Sequence, residues 1–183
     1  MKKLFVVLLA LCLFVIPVMA QTQDNPEEIN WADLEESFAE TGYNYDFWDI
    51  PKLGITMMIP AGLNQTELTQ ENIDDGFVEI FATDDYSIAV MLSLRNLGCE
   101  TLAELEDLVV ENIEEAQILG YYKINGLSAL MFLNPGNEDL TVAIPTDAPE
   151  TFIQVSIKPI TNEEINKLSG FIFGSIQPLA EEE

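Results

Sequence analysis

Thirty-two Asp and Glu residues against seven Lys and Arg give this 183-residue chain a net charge of −25, and it contains no histidine. The length suffices for one domain with a proper core. The charge opposes binding to nucleic acid or an anionic membrane surface, and the missing imidazole removes Ser-His-Asp triads, Cys-His dyads and histidine ligation of zinc or haem.

Residues 1–20 carry Lys2 and Lys3, then an apolar run over residues 4–18, then Val18-Met19-Ala20. That order predicts a signal peptide cut after Ala20, because the run is short for a bilayer span and polar residues come at once after it. Leu11 before Cys12 does not suit lipoprotein processing, which wants a small residue there, so Cys12 is expected to leave with the peptide. The exported chain would then hold Cys99 alone and form no internal disulfide. Only Lys52, Arg95, Lys123, Lys158 and Lys167 would remain against all thirty-two carboxylates, so most of the charge must be solvated.

Residues 21–42 read as a polar lead and a short amphipathic helix, with Asn30 as N-cap and Trp31, Leu34 and Phe38 on one face before Gly42. Tyr43, Tyr45 and Phe47 alternate in the next stretch, which reads as a linker laying its rings on a sheet. From Leu53 the pattern changes to strands. LGITMMIP stops at Pro60, residues 61–75 form a polar connection, and GFVEIFAT and YSIAVMLSLR flank a tight turn at Thr83, Asp84 and Asp85.

Thr101 and Glu104 form a capping box ahead of a helix whose apolar stripe is Leu102, Leu105, Val109 and Ile113. ILGYYKI and LSALMFL flank Asn125-Gly126, a strong hairpin signal because both residues tolerate positive φ. DLTVAIP and TFIQVSIKP supply two further strands. Thr161 and Glu164 read as the box opening a last helix with Ile165, Leu168, Ile172 and Ile176 buried, and Gly170 and Gly174 predict a close approach to the sheet. Residues 43–180 thus read as a single domain and residues 181–183 as an acidic tail. The fold class expected is α+β, a mostly antiparallel sheet of about six to seven strands with helices packed on it.

The order of these elements, with the helix opened by TLAEL, the turn INGLSALMF and the final GSIQ, resembles the PsbP/DcrB-like fold over residues 43–180. The whole chain is similar to small secreted proteins of gut Firmicutes. The resemblance implies an α/β/α sandwich serving as a binding or accessory subunit rather than a catalyst. The metal-binding histidines of some PsbP-type proteins have no counterpart here, so no site is carried over.

Cys99 stands before the Thr101 cap and beside Glu100, where negative charge opposes thiolate formation and no base is at hand, so it reads as structural. A pair of carboxylates roughly 5 to 10 Å apart could hydrolyse a glycoside, and Glu79, inside a strand, is the candidate, with Tyr43, Tyr45 or Trp48 as sugar platforms. Asp74 and Asp75 beside Asn72, and Asp84 and Asp85, are candidate calcium ligands in turns, though neither pair has EF-hand spacing. No phosphate loop or cofactor motif occurs. The leading expectation is a secreted, acidic, non-catalytic binding or accessory domain for a protein or cationic partner. A calcium-binding extracellular module and a two-carboxylate carbohydrate-active enzyme are the alternatives.

Overall fold

The computed structural model describes residue 23 and residues 25–180. The expected signal peptide, residues 1–20, and the acidic tail, residues 181–183, lie outside the described residues. The remainder is α+β, with eleven strands and four helices in the described chain. Eight strands form a mostly antiparallel sheet in the order β1-β7-β8-β9-β10-β6-β5-β4. These are β1 (Glu27–Ile29), β4 (Asn64–Gln65), β5 (Phe77–Ala82), β6 (Ala89–Asn96), β7 (Gln117–Ile124), β8 (Leu127–Asn134), β9 (Asp139–Pro145) and β10 (Thr151–Lys158). A second sheet joins β2 (Tyr45–Ile50), β3 (Ile55–Pro60) and β11 (Gln177–Pro178) in the order β11-β3-β2.

One face of the large sheet packs against α1 (Trp31–Ala39), α4 (Glu163–Gly174) and the small sheet, all within one apolar cluster. The opposite face packs against α3 (Leu102–Asn112) through Leu102, Leu105, Val109, Tyr121, Leu130 and Phe132. Helices therefore lie on both faces, as in a sandwich. Burial from both sides explains why β9 reads as a continuous apolar run rather than an alternation. The remaining helix, α2 (Gln70–Asp74), is one short turn capped by Thr69 and buries none of its residues.

Several sequence expectations need correction. The mostly antiparallel sheet expected is present and holds eight strands, β1 and β4 being too short to show a period in the sequence. Residues 27–39 pack with the domain: β1 pairs in parallel with β7, and Trp31 and Phe38 are buried in the main core. The aromatic stretch after Gly42 is strand β2, not a linker, and Tyr45 packs edge-on against Trp31 and Phe38. The turn at Thr83 is longer than a tight hairpin, since β5 ends at Ala82 and β6 begins at Ala89. Asn162, rather than Thr161, caps α4, accepting from the amides of Glu164 and Ile165. Gly174 does make a close approach, to α1 as well as to the sheet: a Cβ there would lie 2.3 Å from Leu34 Cδ1 on α1 and 3.2 Å from Ile29 Cγ2 on the sheet strand β1.

Other readings hold. Thr101 and Glu104 make the reciprocal capping box, and Asn125 and Gly126 turn the β7–β8 hairpin with φ of 47° and 90°. Asn125 does more than turn. Its amide donates to Ile29 O (2.8 Å), its Oδ1 accepts from Trp31 N (2.8 Å), and its Nδ2 donates to the carbonyls of Gly174 and Ile176 (2.8 Å each). Asn30 makes no side-chain cap of its own, so Asn125 satisfies an orphan donor at the start of α1 from 94 residues away. Between the two accepted carbonyls sits Ser175, fully buried, whose Oγ accepts from Met58 N (2.9 Å) and donates to Ile172 O (2.7 Å). The end of α4 is thereby tied to β3 and to the β7–β8 turn at once.

Asn125→Ala is expected to cost about 3–4 kcal/mol of unfolding free energy, from a lost helix cap, two lost bonds to carbonyls and a Cβ held in left-handed backbone. Asn125→Gly keeps the turn geometry and should cost about 1 kcal/mol less. Urea denaturation of both variants tests this, and an Ala variant within about 0.5 kcal/mol of wild type contradicts it.

Candidate functional site

The candidate residues fall in separate places. Asp74 ends α2, where its Oδ1 accepts from Gln70 Nε2 (2.8 Å), and Asp75 is the C-cap residue next to Gly76. Asp84 Oδ1 accepts from Asn64 Nδ2 (3.0 Å) on β4. Asp85 Oδ1 accepts from Thr83 Oγ1 (2.8 Å) and from Ser87 N (3.0 Å), closing an Asx-type turn in which Tyr86 takes φ of 57°. Bonds from Ser87 and Thr83 hold the Asp85 carboxyl down at about 2. Among the described residues, no three or more acidic or cysteine side chains come together as a metal-holding group. Turn chemistry accounts for these aspartates as placed.

Glu79 sits half-exposed on β5, its Oε2 accepting from Gln65 Nε2 (2.7 Å) of the neighbouring β4. The aromatic candidates do not form one platform beside it. Tyr45 and Phe47 stack edge-on with Trp31 on one face of β2, whereas Trp48 lies against Phe81 at 5.0 Å on the other. Tyr43 is exposed, and the neighbouring Glu164 raises its pKa. A displaced carboxyl does exist elsewhere, at Asp139 on β9, which burial pushes up against the opposing effects of Thr141 and Lys158. Thr141 Oγ1 lies 3.2 Å from the Asp139 carboxylate and 2.7 Å from Ser156 Oγ, its cross-strand partner on β10. Sequence reading misses this polar cluster because a lone Asp at a strand start gives no sign of its burial.

Cys99 is buried in the cluster beneath α3, with Leu102, Leu105 and Phe152. Burial, Glu104 and Glu150 all push its thiol pKa up. The carboxylate of Glu104 is itself engaged with the amides of Glu100 (2.8 Å) and Thr101 (3.2 Å), which lowers its own pKa and keeps it charged. The helix start at Thr101 therefore gives its positive end to Glu104 and not to the sulfur. Near it an open hollow of about 270 Å³ lies between Glu100 and the β9–β10 turn, with Asp147 and Glu150 on its wall. On the outer side of α3, the carboxylates of Asp107 and Glu111 face solvent with Glu104, and Glu106 accepts from the Tyr121 hydroxyl. Burial, Glu106 and Asp107 push the Tyr121 pKa up.

No family model matches the chain, and no curated protein sequence matches it significantly. Among solved structures it is similar to the Saccharomyces cerevisiae Ran-binding protein Mog1p, at 14% identity and a TM-score of 0.43, over 75% of this chain and 96% of that one. It is likewise similar to cyanobacterial PsbP (CyanoP) from Synechocystis sp. PCC 6803, at 12% identity and a TM-score of 0.44, over 72% of this chain and 91% of that one. These are likenesses and not membership of a family.

A thiol that is buried and pushed toward its neutral form is a poor nucleophile. Cys99 in the native protein should react with a disulfide reagent near neutral pH at least about tenfold more slowly than free cysteine, and denaturant should abolish the difference. Reaction as fast as free cysteine in native buffer contradicts the structural role.

Proposed function

We propose that this chain is exported and works as a non-catalytic acidic binding domain for a protein partner that carries positive charge. The observation that carries this reading is where the charge sits. Asp107 and Glu111 along α3, and Asp46 and Asp49 along β2, are exposed on elements whose opposite sides are anchored in apolar clusters. Fixed charges on a rigid scaffold keep their spacing and lose little backbone freedom on binding. They also steer an oppositely charged partner into contact. Export is supported by the lysines, the apolar run and the Ala20 boundary of the leader, together with the solvated acidity of residues 21–183. Among the described residues no helix is long and apolar enough to cross a membrane.

The full-length gene product, recovered after expression in a secreting host, should carry Gln21 at its N-terminus by intact mass. Immobilised, it should retain a saturable partner from the proteins of its source cell at about 0.15 M salt and release it near 1 M, where the screening length falls from about 8 to 3 Å. No saturable partner, or one indifferent to salt, contradicts the reading.

A further inference from the structure

Strand β2 pairs with β3 on one side and stands at the edge of the small sheet. Its hydrogen-bonding parity is fixed by three bonds. The carbonyls of Asn44, Trp48 and Ile50 accept from Ala61 N (2.8 Å), Thr56 Oγ1 (3.2 Å) and Leu53 N (2.9 Å), all on the β3 side. Successive residues of a strand alternate the edge to which they turn their N–H and C=O. Tyr45, Phe47 and Asp49 therefore turn theirs outward, and among the described residues nothing pairs with them there.

Natural edges are usually blunted by charge, proline or a bulge. This one carries charge at Asp46 and Asp49 but also keeps two large rings in the open, Phe47 at 42% and Trp48 at 36% exposure, one on each face of the strand. Both are already backed by other rings, Phe47 by Trp31 at 5.7 Å and Trp48 by Phe81 at 5.0 Å, so they are held as rigid anchors. Asp46 and Asp49, both exposed, lie three residues apart and so on opposite faces. A second copy of the chain is a poor occupant, because each copy carries a net charge of −25. A strand with cations opposite Asp46 and Asp49 meets the opposite condition.

We propose that the outer edge of β2 is a docking site for an extended segment of a partner protein, added as a strand and carrying Lys or Arg opposite Asp46 and Asp49. The ladder is made by the backbone groups of Tyr45, Phe47 and Asp49, and the apolar side chains between the cations lie over Phe47 and Trp48. This rests on the reading of the protein as an acidic binding domain and adds the location and the form of the partner.

The test is an amide NMR titration of the protein purified from full-length expression. The probe is a short acetylated peptide with two lysines three positions apart among valines and threonines. Saturable shifts centred on the amides of Tyr45, Phe47 and Asp49 are expected. Affinity should fall at least about tenfold, equivalent to 1.4 kcal/mol, for a peptide N-methylated on its β2-facing amides and for the Asp46→Lys/Asp49→Lys variant. The variant's amide spectrum away from β2 checks that it is folded. Equal binding of the N-methylated peptide, or shifts spread over α3 and the other acidic faces, overturns the edge site while leaving a cation-binding domain. Binding of no cationic peptide anywhere overturns both. Concentration-dependent broadening of the β2 amides without peptide makes the occupant a second copy and overturns the proposal.

Discussion

The fold depends on one side chain placed where three parts of the chain meet. Asn125 adopts left-handed backbone to turn the β7–β8 hairpin, and the same residue donates to Gly174 and Ile176 and accepts from Trp31. Few residues meet these demands together. Gly tolerates the turn but offers no side chain, and Asp tolerates it but cannot donate. Asn supplies the tolerance, the acceptor and two donors. Through it the start of α1, the end of α4 and the hairpin are fixed to one another. Ser175, between the two accepted carbonyls, extends the tie to Met58 on β3. The small sheet therefore sits where it does because α4 ends where it does, and Leu179 N continues the link by donating to Gly54 O (2.8 Å).

Seen from the sequence, half of this is legible. The Asn-Gly pair announces a turn through the φ preference of two adjacent residues, and Thr101 announces a helix through a partner three residues on. Both signals are local. The Asn125 side chain bonds to residues 94, 49 and 51 positions away, and nothing in a local pattern points that far. The same limit explains β1, β2 and β4. Two are too short for a period, and β2 breaks the alternation of Tyr43, Tyr45 and Phe47 at Trp48 and Asp49 on an exposed edge. The α4 cap lies one residue beyond its expected place because Thr161 and Asn162 are both good caps, and the choice falls to the side chain that reaches the amides of Glu164 and Ile165. Among the candidate sites, the turn aspartates are legible as turn residues, and the half-buried Asp139 is not.

The same packing sets the chemistry. Apolar clusters on both faces of the large sheet leave the carboxylates to the surface, among them Asp107 and Glu111 on α3 and Asp46 and Asp49 on β2. The sulfur of Cys99 is on the inside of that division, and Asp46 and Asp49 are on the outside. Among the described residues, what the fold turns outward is therefore charge, an unpaired strand edge and two backed rings. The position of the edge is set by the Asn125 and Ser175 ties, because they hold the small sheet that presents it.

Native-state hydrogen exchange at the Trp31 amide tests the account most directly. That N–H is half of a bond between α1 and the β7–β8 turn, so if Asn125 joins these parts it exchanges only on global unfolding, with the protection of the central strand amides. Exchange as fast as that of the Ser87 amide, which is bonded to exposed Asp85, means that α1 opens independently of the turn and that the proposed tie does not hold the fold together.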